Sequence, residues 1–130
     1  MKNYRYKILI VEDESSIRLP LAEALAKAQF EVISAKDGEE GLRAAKEIKP
    51  DIILLDIKMP IMDGMEMLKE LRNSGEYGKT VKVIILTSFD ADDDILKGIT
   101  EHMPSYYLLK KDWAVEKAIQ KVKEVLGMIN

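Results

Sequence analysis

Five short apolar runs, each of strand length, alternate with longer segments of helical period along nearly the whole chain. The first, Ile8-Leu9-Ile10-Val11, is continuous rather than alternating, so it reads as a strand buried on both faces. Ser15 to Gln29 follows, with Ile17, Leu21, Ala24, Leu25 and Ala28 on one helical stripe. Phe30 to Ala35 reads as a second strand. Gly38 to Lys49 reads as a helix with Pro50 just past its end. Ile52 to Asp56 is the third strand, Met59 to Gly64 a turn-rich loop, and Met65 to Asn73 a helix. Val81 to Leu86 is the fourth strand, ending at Thr87-Ser88. The spacing then predicts a helix over 92–102, a fifth strand from Tyr106 to Leu109 ending at Lys110, and a last helix from Trp113 to Met128. Pro20 removes a backbone donor inside the first helix and predicts a kink or a late start there. Connections of this length between strands predict parallel pairing with helices on both faces, an α/β doubly wound sheet. Ligands in such folds bind beyond the carboxyl ends of the strands, where strand order reverses.

Composition narrows the function. The length, 130 residues, is that of one ordinary domain, and residues 1–130 read as a single unit. Cysteine is absent, which excludes a disulfide framework and cysteine zinc sites and suits a reducing cytosol, so a cytoplasmic protein is expected. One histidine excludes any site that needs two imidazoles. The net charge of −3 is spread evenly with no basic arm, so direct nucleic-acid binding by this chain is not expected. No long apolar stretch follows the polar N-terminus, so neither a signal peptide nor membrane insertion is expected.

The carboxyl ends of the predicted strands carry the chemistry. The first ends in Glu12-Asp13, the third in Asp56, the fourth in Thr87-Ser88 and the fifth in Lys110. Carboxylates brought together at about 4 Å repel by roughly 4 kcal/mol per pair at an effective dielectric of about 20. A cation relieves that repulsion. Oxygen ligands without His or Cys select a hard ion, with Mg²⁺ the leading choice. Taken singly, each residue has an ordinary use: an acid after a strand caps the next helix, and a Lys there is a solvated charge. The coincidence at four strand ends is what points to a site.

The stretches Ile8-Leu9-Ile10-Val11-Glu12-Asp13-Glu14 and Leu54-Leu55-Asp56-Ile57-Lys58-Met59-Pro60-Ile61-Met62-Asp63-Gly64, with Leu86-Thr87-Ser88 and Tyr107-Leu108-Leu109-Lys110, resemble the receiver domain of two-component response regulators. The resemblance runs from about Lys7 to Leu126. It implies a flavodoxin-like sheet of five parallel strands in the order 2-1-3-4-5 with five helices. It implies that Asp56 accepts a phosphoryl group from the phosphohistidine of a histidine kinase or phosphotransfer protein. Mg²⁺ would be held by Asp13, Asp56 and the main-chain carbonyl of Lys58, with Glu12 reaching it through water. Lys110 would pair with Asp56 and then with phosphate oxygen. Thr87 would move in to bond another oxygen, and Tyr107 would turn inward behind it. The added charge would bias a surface made of the 92–102 helix, the fifth strand and the last helix toward a downstream output protein or domain. A weak homodimer is compatible with the same reading. Lys58 and Phe89, two residues beyond Asp56 and Thr87, would flank the approach of water to the phosphate and lengthen its lifetime.

The chain departs from the family pattern in places. Glu12-Asp13 replaces the frequent Asp-Asp pair, Lys111 stands where many members have Pro, and Met103-Pro104 replaces the usual Gly-Ala. Three other functions compete. An aspartate-nucleophile phosphatase wants Asp-x-Asp, whereas this chain has Asp56-Ile57-Lys58. A flavin carrier needs a phosphate-cradling loop after the first strand, where Glu12-Asp13-Glu14 would repel phosphate. A phosphorylation-independent binding module on the receiver fold is kept alive by Pro104, although the acceptor set is intact. On the leading reading the chain is a signalling module and not a turnover enzyme.

Overall fold

The computed structural model describes residues 5–57, 59–87, 106–109 and 115–128. Strands β1 (Lys7–Val11), β2 (Glu31–Ala35), β3 (Ile52–Asp56), β4 (Lys82–Thr87) and β5 (Tyr106–Leu109) form one sheet in the order β2-β1-β3-β4-β5. Every neighbouring pair is parallel. The sheet is the doubly wound α/β fold that the alternation of the sequence predicts.

Helices cover both faces, which explains the unbroken apolar runs. Alternate residues of a strand point to opposite faces. Leu9, Val11, Ile53, Leu55, Val83 and Ile85 pack on one side against α2 (Gly38–Ile48) and α3 (Gly64–Arg72), through Leu42, Ala45, Met67, Leu68 and Leu71. Ile8, Ile10, Ile52, Leu54, Ile84 and Leu86 pack on the other against α1 (Ser15–Lys27) and the last helix, through Leu21, Leu25, Ala118 and Val122. A short helix α4 (Glu76–Thr80) precedes β4, and the last described helix, α5, spans Val115–Val125.

Two helix starts near the sheet's carboxyl edge share one device. Asp37 accepts a hydrogen bond from the Glu40 amide (2.8 Å) ahead of α2, and Asp63 accepts one from the Glu66 amide (2.9 Å) ahead of α3. Each side chain satisfies a donor that the first helical turn leaves unpaired. At the opposite edge, Arg72 Nη1 donates to the carbonyls of Gly78 (2.9 Å) and Val81 (2.8 Å), and the Tyr77 hydroxyl donates to the Pro50 carbonyl (2.5 Å). Burial, reinforced by the charge of Asp51, pushes the Tyr77 phenol well above its usual range, so it remains a hydroxyl donor.

Of the kink or late start predicted at Pro20, the late start does not occur: Pro20 lies inside α1, which begins at Ser15. The donor that Pro20 lacks faces the Ser16 carbonyl, and both residues are exposed, so water can serve that carbonyl. Helix α4 has no counterpart in the sequence reading, because five residues are too few to show a period. The predicted helix over 92–102, together with Pro104, Lys111 and Trp113, lies outside the described residues.

Among the described residues, three non-glycine residues have positive φ. Gln29 (75°) and Lys49 (54°) follow α1 and α2, where a left-handed residue commonly closes a helix. Ile61 (70°) is different: it is β-branched, lies in the loop after β3 and is 76% exposed. Left-handed backbone costs a residue with a Cβ about 1–2 kcal/mol, and Asn tolerates it better. Ile61→Asn should therefore stabilise the fold by about 1 kcal/mol in urea denaturation. An unchanged or lower midpoint would contradict the strain.

Candidate metal and acceptor site

Strand register sets the site. Val11 of β1 stands beside Leu55 of β3, so the next residues out, Glu12 and Asp56, leave the sheet side by side. This is where strand order reverses, with β1 between β2 and β3. Glu12 is fully buried and Asp56 is 4% exposed, whereas Asp13 is exposed. One carboxylate oxygen from each of Glu12, Asp13 and Asp56 lies within 4.8 Å of the others. At that spacing, like charges repel by roughly 3 kcal/mol per pair at an effective dielectric of about 20. Two of the three acids are shielded from water, so bulk solvent relieves little of that repulsion. The three form an all-oxygen donor set with one open side, which fits a hard cation that keeps part of its water shell.

The surrounding backbone is tied down. The Glu12 amide donates to the Ala35 carbonyl (3.1 Å), extending the β1–β2 ladder by one residue. The Glu14 amide donates to Glu12 Oε2 (3.2 Å). Arg18 Nη1 donates to the main-chain carbonyls of Glu12 (2.9 Å) and Asp13 (3.2 Å). Across the site, the Gly64 amide donates to the Ile57 carbonyl (2.6 Å) and the Gly38 amide to the Met62 carbonyl (3.1 Å), which fastens the loop after β3 to α2 and α3. Met59, Met62 and Met65 pack against the core beneath that loop, as Met often does in irregular gaps.

Of the residues singled out by the sequence, the structure brings Glu12, Asp13 and Asp56 together. Thr87 ends β4 one residue beyond Leu86, the partner of Asp56. Tyr107 stands on β5 level with Ile85. Lys58, Phe89 and Lys110 lie outside the described residues. Sequence reasoning missed Arg18. Its signal was a cation one turn into α1, six residues after Glu12, at a spacing that also suits a solvated face.

A parallel five-stranded sheet with an acidic cluster at its switch point, followed along the chain by a helix that Asp63 caps, defines the class of receiver-like doubly wound domains. The chain belongs to the response regulator receiver domain family, whose model matches residues 8–123. It is 35% identical over 120 residues to the alkaline phosphatase synthesis transcriptional regulatory protein PhoP of Bacillus subtilis, covering 92% of this chain and 48% of that one. It is 41% identical over 115 residues to the transcriptional regulatory protein LiaR of the same organism, covering 86% and 52%. The chain thus spans about half the length of the curated relatives it matches. Among solved structures, a CheY-like receiver from Methanospirillum hungatei superposes with a TM-score of 0.87 at 26% identity, covering 95% of each chain. The receiver domain of a sensor histidine kinase from Pseudomonas aeruginosa, which has a magnesium ion coordinated in its active site cleft, superposes with a TM-score of 0.84 at 25% identity, covering 95% of this chain and 99% of that one. Receiver domains of response regulators are signalling modules and, in general, not turnover enzymes. Among the described residues, no helix is long and apolar enough to cross a membrane.

Proposed function

We propose that the chain accepts a phosphoryl group on the carboxylate of Asp56 from the phosphohistidine of a histidine kinase or phosphotransfer protein, in a reaction assisted by Mg²⁺. The observation that carries this reading is the meeting of Asp56 with Glu12 and Asp13 within 4.8 Å at the switch point of the sheet. In the transfer, an Asp56 oxygen forms a bond to phosphorus. The P–N bond breaks, and its electron pair stays on the departing imidazole. Bound Mg²⁺ supplies positive charge that offsets the negative charge of the transferring group. Asp13 and Asp56 would hold it with the main-chain carbonyl of Lys58, and Glu12 would act through water. Burial of Asp56 limits competing contact with bulk solvent. Lys110 and Thr87 are proposed to receive phosphate oxygens, with Tyr107 following Thr87 inward. The 92–102 segment, β5 and α5 would then present the change to an output domain or partner, so that the chain works as one receiver unit.

Incubation with acetyl phosphate and Mg²⁺ should add one phosphoryl group, read by intact mass, and a chelator should suppress the addition. No gain of mass in the presence of Mg²⁺ would overturn the reading.

The two acids after β1 should not contribute equally. Asp13 is exposed and free to turn toward a hydrated ion, whereas buried Glu12 also accepts the Glu14 amide. Asp13→Ala should weaken Mg²⁺ binding on the order of tenfold or more, since the ion takes few protein ligands, and Glu12→Ala should weaken it less. Titration calorimetry showing parent-like affinity in Asp13→Ala would remove Asp13 from the ligand set.

A further inference from the structure

We propose that Arg18 is a positioning residue for the cation site, holding the main chain of Glu12 and Asp13 so that their carboxylates stay arranged to receive Mg²⁺. The inference rests on the metal-assisted reading above and adds a residue to it. One guanidinium nitrogen, Nη1, donates to both carbonyls, at 2.9 Å to Glu12 and 3.2 Å to Asp13. Glu12 is already fixed at its amide by Ala35 and at Oε2 by Glu14. Asp13 is exposed and sits at the bend between β1 and α1, so the bond from Arg18 bears most directly on where its backbone points.

The placement of Arg18 runs against helix electrostatics. A helix N-terminus carries partial positive charge and favours acids. Helices α2, α3 and α5 begin with Glu39 and Glu40, Glu66, and Glu116 in their first turns. Helix α1 has no acid in its first turn, and its N-cap residue Glu14 makes no side-chain capping bond. A cation one turn into α1 therefore stands at the unfavourable end of the dipole, beside a site that itself takes a cation. Its charge alone would weaken metal binding. Its hydrogen bonds act in the opposite direction, by keeping the acid loop in place before the ion arrives. Groups that orient metal ligands in this way commonly change affinity by 10–100-fold when removed.

The two effects differ in sign, which makes the test decisive. Mg²⁺ titrations followed by amide shifts in ¹⁵N-labelled parent, Arg18→Ala and Arg18→Lys give a dissociation constant at residues 12, 13 and 56. Thermal melts of the metal-free proteins report fold stability separately. Arg18→Ala is expected to raise the dissociation constant about tenfold, despite removing a nearby positive charge. Arg18→Lys, whose single nitrogen carries three donors, should recover most of the affinity. Equal or tighter Mg²⁺ binding in Arg18→Ala, with binding intact in the parent, would overturn the role of Arg18 alone. A parent with no Mg²⁺-dependent shifts at these residues would overturn the metal-assisted reading and this inference together. Should Arg18→Ala fail to fold, Arg18→Met, which keeps an aliphatic stem and donates no hydrogen bond, carries the same comparison.

Discussion

Asp56→Asn should abolish the phosphoryl adduct completely while leaving the fold intact. The two side chains are nearly the same size, so the swap opens no cavity among the buried neighbours of Asp56. The β3–β4 ladder that places residue 56 beside Leu86 involves backbone only and is indifferent to the change. What is lost is chemistry. An amide oxygen is a far weaker nucleophile than a carboxylate oxygen, and Asn carries no charge with which to hold Mg²⁺. The cluster falls from three acids to two, so the metal affinity of the variant should also fall. The check is intact mass after acetyl phosphate and Mg²⁺, with circular dichroism to show that secondary structure is retained. Phosphoryl gain at the parent level in a folded Asp56→Asn protein would place the acceptor on another residue.

Asp56, the proposed acceptor, is also the part of the acid cluster whose place was most legible in the sequence. An apolar run ending on an acid leaves little freedom: if Ile52 to Leu55 are buried in a strand, Asp56 must emerge at its carboxyl end. The same logic places Glu12 and Asp13 after Ile8 to Val11, and parallel pairing of β1 with β3 then brings the three acids together. Fold class was legible for a related reason, since strands covered on both faces need unbroken apolar runs, and their spacing by helices imposes parallel order. Other features leave no such trace. The bonds of Arg18 go to main-chain carbonyls, which every residue has, so nothing in the identities of Glu12 and Asp13 announces that partner. Helix α4 contains Gly78 and only five residues. It is tied to α3 by the bonds from Arg72 to the Gly78 and Val81 carbonyls, main-chain acceptors that every residue offers. Ile61 is least legible of all, because a β-branched residue is a poor candidate for left-handed backbone.

Gly64→Ala should damage stability and phosphoryl acceptance together. The glycine is required by crowding rather than by an unusual φ. A Cβ at Gly64 would overlap the carbonyl oxygen of Asp56 and stand 2.9 Å from the Ile57 Cα. These are backbone atoms, so no side-chain rotation relieves the clash. Either α3 moves outward or the Asp56–Ile57 peptide shifts. Helix α3 is anchored by buried Met67, Leu68 and Leu71, and Asp56 by its place in the ladder beside Leu86. Moving either breaks the bond from the Gly64 amide to the Ile57 carbonyl and disturbs Asp56 itself. Forced overpacking of this kind costs about 1–3 kcal/mol, and the backbone nature of the clash puts Gly64→Ala at or above about 3 kcal/mol. Gly41→Ala supplies the contrast. The three atoms nearest its Cβ all belong to side chains, Val11 Cγ1 and Cγ2 at 2.8 Å and Met67 Sδ at 3.2 Å, and of these the flexible Met67 can give way. That variant should lose about 1–2 kcal/mol and keep an acceptor that takes a phosphoryl group once folded. Urea denaturation measures the first effect, and the rate of mass gain with acetyl phosphate, taken where both variants remain folded, measures the second. Gly64→Ala with a parent-like urea midpoint and rate would show that the loop after β3 can open without moving Asp56, and the crowding at Gly64 would then have no part in placing the acceptor.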